Sequence, residues 1–396
     1  ARYLVTGGCG FIGSHIVSAL VARGDQVRIL DDLSTGNLKN VQAESDLVEV
    51  IQGSVCDPNV TATAMKGIDF VFHQAALASV PRSVSDPLAT HAACVTGTVT
   101  VLDQARQAGV RRVVYAASSA AYGNSTWLAK RETDLVSPLS PYAAAKLAGE
   151  LYCEAFYHSY GLETVCLRYF NVFGPRQDPF GAYAAVIPAF IMKMKTGERP
   201  TIFGDGQQSR DFTYVANVVA GNLAAAAAPN VAGKVYNLAS GKSYSLLDLI
   251  AALNQAMGVN VQPIFEPARV GDVKDSLADT SRAQRELGYT PVVGFEEGLR
   301  ETVAYYRQAK SLALHEERLR TLSPVAAPTP LLMRDLGEAA LRPDVLSHIQ
   351  KSSRLAKSLA RGDNTFATSG PRPLRGTPAR FRTRRRPSAP GQLWSA

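Results

Sequence analysis

Three side chains stand at a spacing suited to taking a proton from an alcohol. Ser118 closes the run Val113-Val114-Tyr115-Ala116-Ala117-Ser118-Ser119, and Tyr142-Ala143-Ala144-Ala145-Lys146 begins 24 residues after it. On a helix, positions i and i+4 share a face, so the Tyr142 phenol and the Lys146 ammonium are expected to project into one site. A phenol with an ordinary pKa of about 10 is a poor base at neutral pH. A neighbouring ammonium favours the phenolate, and a drop of about 3 units requires about 4 kcal/mol of differential stabilisation. The expected chemistry is removal of a hydroxyl proton by Tyr142 while Ser118 hydrogen-bonds the reacting oxygen. A lone Y-x-x-x-K usually marks a solvated helix face. This one follows Ser137-Pro138-Leu139-Ser140-Pro141 and lies downstream of a serine-bearing strand end.

The partner for that chemistry is indicated at the other end of the chain. Leu4-Val5-Thr6-Gly7-Gly8-Cys9-Gly10-Phe11-Ile12-Gly13-Ser14 ends a strand and opens a helix, with Gly7, Gly10 and Gly13 in G-x-x-G-x-x-G spacing. The first glycine permits a tight turn, the second admits a pyrophosphate to the backbone, and the third lets helix pack on strand. Asp31 and Asp32 end the next strand, where a carboxylate accepts from ribose hydroxyls and repels a 2′-phosphate, which favours NAD over NADP. The same aspartates also suit the start of the turn-rich loop Leu33-Ser34-Thr35-Gly36-Asn37. With NAD in place, the proton leaves for Tyr142 as hydride leaves the same carbon.

Elements able to hold these residues are legible. Arg2–Thr6, Gln26–Asp31, Leu47–Gln52, Asp69–Ala75 and Arg112–Ser118 read as strands alternating with amphipathic helices. That alternation predicts an α/β fold with a doubly wound, parallel Rossmann sheet. Past Phe170 the elements shorten and Gly/Pro punctuation increases, which suggests a smaller C-terminal substrate-binding lobe. The expected division is 1–170 for the NAD-binding domain, 171–310 for a lobe interleaved with it, and 311–396 for a tail.

Charge supports the same division. Residues 1–310 hold 27 Lys+Arg against 28 Asp+Glu, whereas 311–396 hold 15 against 6. The basic character therefore belongs to the tail, whose Pro/Arg/Ser-rich end after Gly362 predicts disorder and leaves weak nucleic-acid binding open for the tail alone. Cys9, Cys56, Cys94, Cys153 and Cys166 form no C-x-x-C pair and read as structural thiols, with no metal expected. No apolar stretch suits a membrane span and no signal peptide is evident, so a cytoplasmic setting is expected.

Taken with His73-Gln74-Ala75-Ala76, Leu167-Arg168-Tyr169-Phe170-Asn171, Ser209-Arg210-Asp211-Phe212 and Arg269-Val270-Gly271-Asp272-Val273, these motifs resemble the extended short-chain dehydrogenase/reductases. Within them the resemblance is to the UDP-hexose 4-epimerases. It implies NAD-dependent inversion of C4 of a UDP-glucose or UDP-N-acetylglucosamine type of substrate through a 4-keto sugar, in a homodimer packed through helices near 98–108 and after Tyr142. It implies cofactor contacts from Gly7, Gly10, Phe11, Ile12, Gly13, Asp31, Asp32, Asn37, Ser54, Val55, Ala75, Ala76, Tyr142, Lys146 and Tyr169. Substrate contacts are implied for Ser79, Ser119, Asn171, Phe203, Arg210, Arg269, Asp272 and Ser276. Among these, Asn171, Arg210 and Arg269 hold the pyrophosphate, Asp272 meets the uridine ribose, and Ser276 edges the hexose pocket, where a small residue admits an N-acetyl group.

The chain departs from the pattern at Cys94, where similar enzymes carry Asn, at Ser54 for a frequent Asp, and at Ala78 for a Lys. Two other readings remain. A sugar-nucleotide dehydratase or decarboxylase shares the fold, but dehydratases carry Thr-Asp-Glu where this chain has Ser118-Ser119-Ala120. A non-catalytic NAD-binding protein using its basic tail is the other.

Overall fold

The computed structural model describes residues 1–125, 129–180, 185–268 and 275–308. The expectations for Arg269, Asp272 and the 311–396 tail fall outside these residues.

Seven parallel strands form the central sheet. Six are β1 (Arg2–Thr6), β2 (Gln26–Asp31), β3 (Val48–Gln52), β4 (Phe70–His73), β5 (Arg112–Ser118) and β6 (Glu163–Tyr169). The seventh is Lys234–Leu238, and the spatial order is Lys234–Leu238, β6, β5, β4, β1, β2, β3. The five strands expected from β-branched runs are all present, shortened by a residue at the start of β3 and by one residue at the start and two at the end of β4. A parallel sheet must be covered on both faces. Accordingly β1 and β5 are buried along nearly their whole length, and only the edge strand β3 has an exposed pattern. Strand order reverses beside β1, between its neighbours β2 and β4, and the resulting crevice at the strands' C-terminal ends is where a doubly wound sheet takes its ligand.

Helix α1 (Phe11–Ala22) leaves that crevice directly after the glycine turn. A second helix, Pro141–Tyr160, carries Tyr142 and Lys146. Its start is fixed by Ser140, whose side chain accepts from Ala143 N at 3.1 Å, with Pro141 pre-set for the first turn; its end is the left-handed Gly161 at φ 72°. The position of the cap thus puts Tyr142 in the first turn and Lys146 one turn later.

The segment after Asn171 does not stay in one place. Lys234–Leu238 returns to the sheet, while Phe173, Phe190, Phe212, Tyr214, Leu249 and Phe295 belong to a separate core cluster. Tyr244 stacks on Phe295 there at 4.0 Å between ring centroids.

The helix bearing Tyr142 is fastened to β6 by a buried ion pair. Arg168 Nη2 donates to Glu150 Oε2 at 2.7 Å and Nε donates to Oε1 at 3.0 Å, with both side chains almost wholly inaccessible. Removing one partner leaves an uncompensated interior charge. Glu150→Ala should therefore lose about 3–5 kcal/mol of unfolding free energy, and Glu150→Met with Arg168→Met much less than either alone. Urea denaturation of the three variants checks this. Equal loss for single and double variants would contradict the pairing.

Candidate active site

The glycine turn fits its sequence pattern for a measurable steric reason. Gly7 has φ 68°, and a Cβ on it would lie 2.7 Å from Ala75 N; a Cβ on Gly13 would lie 2.1 Å from Gly7 O. No side chain caps the first turn of α1, so its N–H groups and the positive end of the helix are presented to the crevice. This is a cradle for a diphosphate.

A cleft at the glycine turn, the candidate cofactor cleft, is lined by Gly7, Gly10, Phe11, Ile12, Gly13, Asp31, Asp32, Ser54, Val55, Ala75, Ala76, Tyr142, Lys146 and Tyr169. The structure therefore gathers all but one of the residues implied for NAD. The exception is Asn37, whose side chain instead accepts from Lys39 N and caps the turn that follows. Asn40 lines the cleft in its neighbourhood, with Nδ2 donating to Cys9 O at 2.9 Å. Ser79, implied for substrate, caps the helix Val80–Ser85 and lies on the cofactor side.

Asp31 combines the two roles open to it. Its Oδ2 accepts from Cys9 N and its Oδ1 from Leu33 N, each at 2.9 Å, so it organises both the glycine turn and the following loop. Burial raises its carboxyl above the ordinary range, opposed by those two N–H groups. Lone pairs on both oxygens remain for ribose hydroxyls.

A second cavity of about 640 Å³, within the usual range for a small-molecule site, is lined by Ser118, Ser119, Tyr142, Asn171, Arg210 and Ser276. Phe11, Ile12, Ala117, Tyr142 and Tyr169 belong to both its wall and that of the cofactor cleft. Asn171 and Arg210 continue into a third cavity that also includes Phe203. Asn171 sits at φ 32°, and its Nδ2 donates to Ser276 Oγ and to Asp211 O, each at 3.3 Å. Arg210 and Ser276 face each other in register on paired parallel strands. Asp211, fully buried, accepts from Ser240, Gly241 and Ala278 and ties this corner together; burial pushes its carboxyl up to about 6 against those donors.

The electrostatics of the reacting group differ from the expectation. Burial pushes the Tyr142 phenol up to about 12, nearby Cys94 adds to this, and only the hydrogen bond with Ser118 works in the opposite direction. Lys146 does not supply the lowering expected of it within the chain alone. Its ammonium donates to Ala116 O at 2.8 Å, and burial draws its own pKa down. Desolvation outweighs helix spacing here because both groups lie in the same apolar crevice.

Other lining residues were given no role from the sequence. Gln74 hydrogen-bonds Tyr169, which is itself held by Asn222, and Arg82, Arg176 and Lys130 bring cations to the walls. Gln74 lies within the motif His73-Gln74-Ala75-Ala76 and was within reach, whereas Arg176, at φ 65° with Nη1 donating to Ser18 Oγ, is placed by tertiary packing.

Residues 3–239 match the model of the NAD dependent epimerase/dehydratase family, and the chain belongs to that family. It is 39% identical over 310 residues to a UDP-glucose 4-epimerase of Mycolicibacterium smegmatis, covering 77% of this chain and 98% of that one. A dTDP-glucose 4,6-dehydratase of Actinoplanes is 34% identical over 322 residues, covering 78% and 99%. Among solved structures, a UDP-N-acetylglucosamine 4-epimerase from Methanobrevibacter ruminantium, in complex with UDP-N-acetylmuramic acid, superposes with a TM-score of 0.74 at 40% identity over 77% and 98%. The protein is thus an α/β Rossmann-type member of an NAD-dependent family whose relatives include UDP-sugar epimerases.

The turn geometry sets a strict test of the cofactor site. Gly13→Ala drives a methyl into the Gly7 carbonyl, and overpacking of about 1–3 kcal/mol corresponds to NAD binding about 5–150-fold weaker. Isothermal titration measures it. Unchanged affinity would show that the turn is not where the diphosphate sits.

Proposed function

We propose that the chain inverts C4 of a UDP-hexose. The observation that carries this reading is the placement of Tyr142, hydrogen-bonded by Ser118 and followed one turn later by Lys146, on the wall common to the cofactor cleft and the second cavity. Tyr142 holds and moves the proton of the C4 hydroxyl, Ser118 orients that oxygen, and Asn171 with Arg210 grips the diphosphate. The bound NAD supplies reversible hydride storage at C4, so that the overall reaction is redox neutral. A diphosphate grip that leaves the hexose free to turn suits inversion, since the keto sugar must present its opposite face before reduction.

Dehydration makes a further demand, an acid to protonate a leaving hydroxyl. Ser118-Ser119-Ala120 supplies none. Among the described residues of the second cavity the carboxylate is Asp275, whose Oδ1 accepts from Ser209 Oγ at 2.7 Å.

Incubation with UDP-glucose and with UDP-N-acetylglucosamine, with the products resolved chromatographically, should give the C4 epimers. A 4-keto-6-deoxy product would replace this reading with the dehydratase one. Tyr142→Phe should retain NAD and UDP-sugar binding and lose about 10²–10⁴-fold in turnover.

Ser276 supports acceptance of the acetylated sugar, being small and on the wall of the second cavity. Ser276→Tyr should lower kcat/KM for UDP-N-acetylglucosamine about tenfold or more relative to UDP-glucose, by exclusion. The substitution also removes the hydroxyl that accepts from Asn171, so a common loss on both substrates is expected in addition. A ratio equal to that of the unmutated chain would place Ser276 outside the hexose pocket.

A further inference from the structure

Lys146 is 3% exposed, and a charged ammonium at such a depth needs compensation. The groups around it come from four elements. Glu150 lies one turn on along the same helix but is bound by Arg168, and Cys153 is on that helix too. Cys94 comes from the π-helical turn Ala92–Thr96, and His73 from the end of β4. Tyr142, one turn earlier on the same helix, lines the same cleft, and burial keeps its phenol neutral. From β5, Ala116 supplies its carbonyl oxygen and Tyr115 its ring, whose centroid lies 5.0 Å from Nζ.

His73 adds no competing charge. Thr98 Oγ1 donates to Cys94 O and so accepts from His73 Nε2–H, which leaves Nδ1 to accept from Thr6 Oγ1. Burial and the charge of Lys146 push its pKa down to about 3, and the ring stays neutral.

Tyr115 is held as a platform. Its hydroxyl donates to Lys146 O at 3.3 Å, and the His73 ring packs on it at 5.7 Å. The helix passes close enough only because residue 149 is glycine; a Cβ there would lie 2.2 Å from Tyr115 Oη and 2.5 Å from Cζ.

We propose that Tyr115 is a positioning residue that acts through Lys146: its ring face keeps the ammonium charged and fixed beneath Tyr142. The inference rests on the proposed function only in taking Lys146 as the ammonium one helical turn from the proton-handling Tyr142. A desolvated cation–π contact is strong enough to move a titration by about one pH unit. Because loss of the ring destabilises the charged form, the direction is downward.

The test is a pH titration of the full chain carrying ¹³Cε-labelled lysine, followed by NMR, with Lys146→Met identifying the signal. Tyr115→Phe keeps the ring and should leave the Lys146 midpoint unchanged. Tyr115→Leu should lower it by about one pH unit. Gly149→Ala pushes the ring aside without removing it, favours the helix, and should lower the midpoint likewise; it decides the matter if Tyr115→Leu does not fold. Turnover of UDP-sugar should fall off at a correspondingly lower pH in both displaced variants. An unshifted midpoint in Gly149→Ala or in folded Tyr115→Leu overturns the proposal, as does a shift in Tyr115→Phe equal to that in Tyr115→Leu. No substrate is present in the titration, so a chain that epimerises nothing refutes the proposed function and leaves this result readable.

Discussion

The interior position of one ammonium governs how the crevice is built. Lys146 can remain charged there only if every element that packs against it either stabilises the charge or stays neutral, and the surroundings comply. β5 turns a carbonyl and an aromatic face towards it, and β4 offers a histidine whose two ring nitrogens are both committed to threonines. The helix's own carboxylate is drawn off to β6 by Arg168. The carbonyl, the aromatic face, the neutral histidine and the glycine at 149 thus all bear on the cost of burying one positive group.

The same economy of donors and acceptors operates at the adenosine end. Asp31 accepts two backbone N–H groups, from the glycine turn and from the following loop, and still has lone pairs to offer. At the far end Asp211 has the corresponding position. Its carboxylate takes Ser240, Gly241 and Ala278, next to the paired strands that carry Arg210 and Ser276, and its backbone carbonyl rather than its carboxylate meets Asn171. Both ends of the crevice are therefore tied together by buried carboxylates that collect backbone N–H groups.

Much of this was legible in the sequence because it rests on local rules. β1, β2, β3, β4 and β5 announce themselves by β-branched runs, and the glycine spacing and the Ser140-Pro141 cap act over a few residues. What sequence could not carry depends on distant contacts. The strand Lys234–Leu238 pairs with β6 across more than sixty intervening residues, and nothing in its own five residues says so. Asn37 and Asn40 are chemically alike, and only the turn between them decides which one faces the cleft. The direction of the Tyr142 shift was missed because helix spacing reveals a neighbouring charge but not the depth of burial.

The path of the chain has a consequence for how such a molecule can be altered. After β6 it leaves for the second core cluster, comes back as Lys234–Leu238 to finish the sheet, and leaves again for the helix Leu246–Met257 and for Phe295–Gln308. The residues proposed to hold the sugar nucleotide therefore do not form a cassette with one beginning and one end. Recombination at a single junction would sever the sheet along with the pocket, so new substrate preference must come from point changes in the walls and not from the exchange of whole modules.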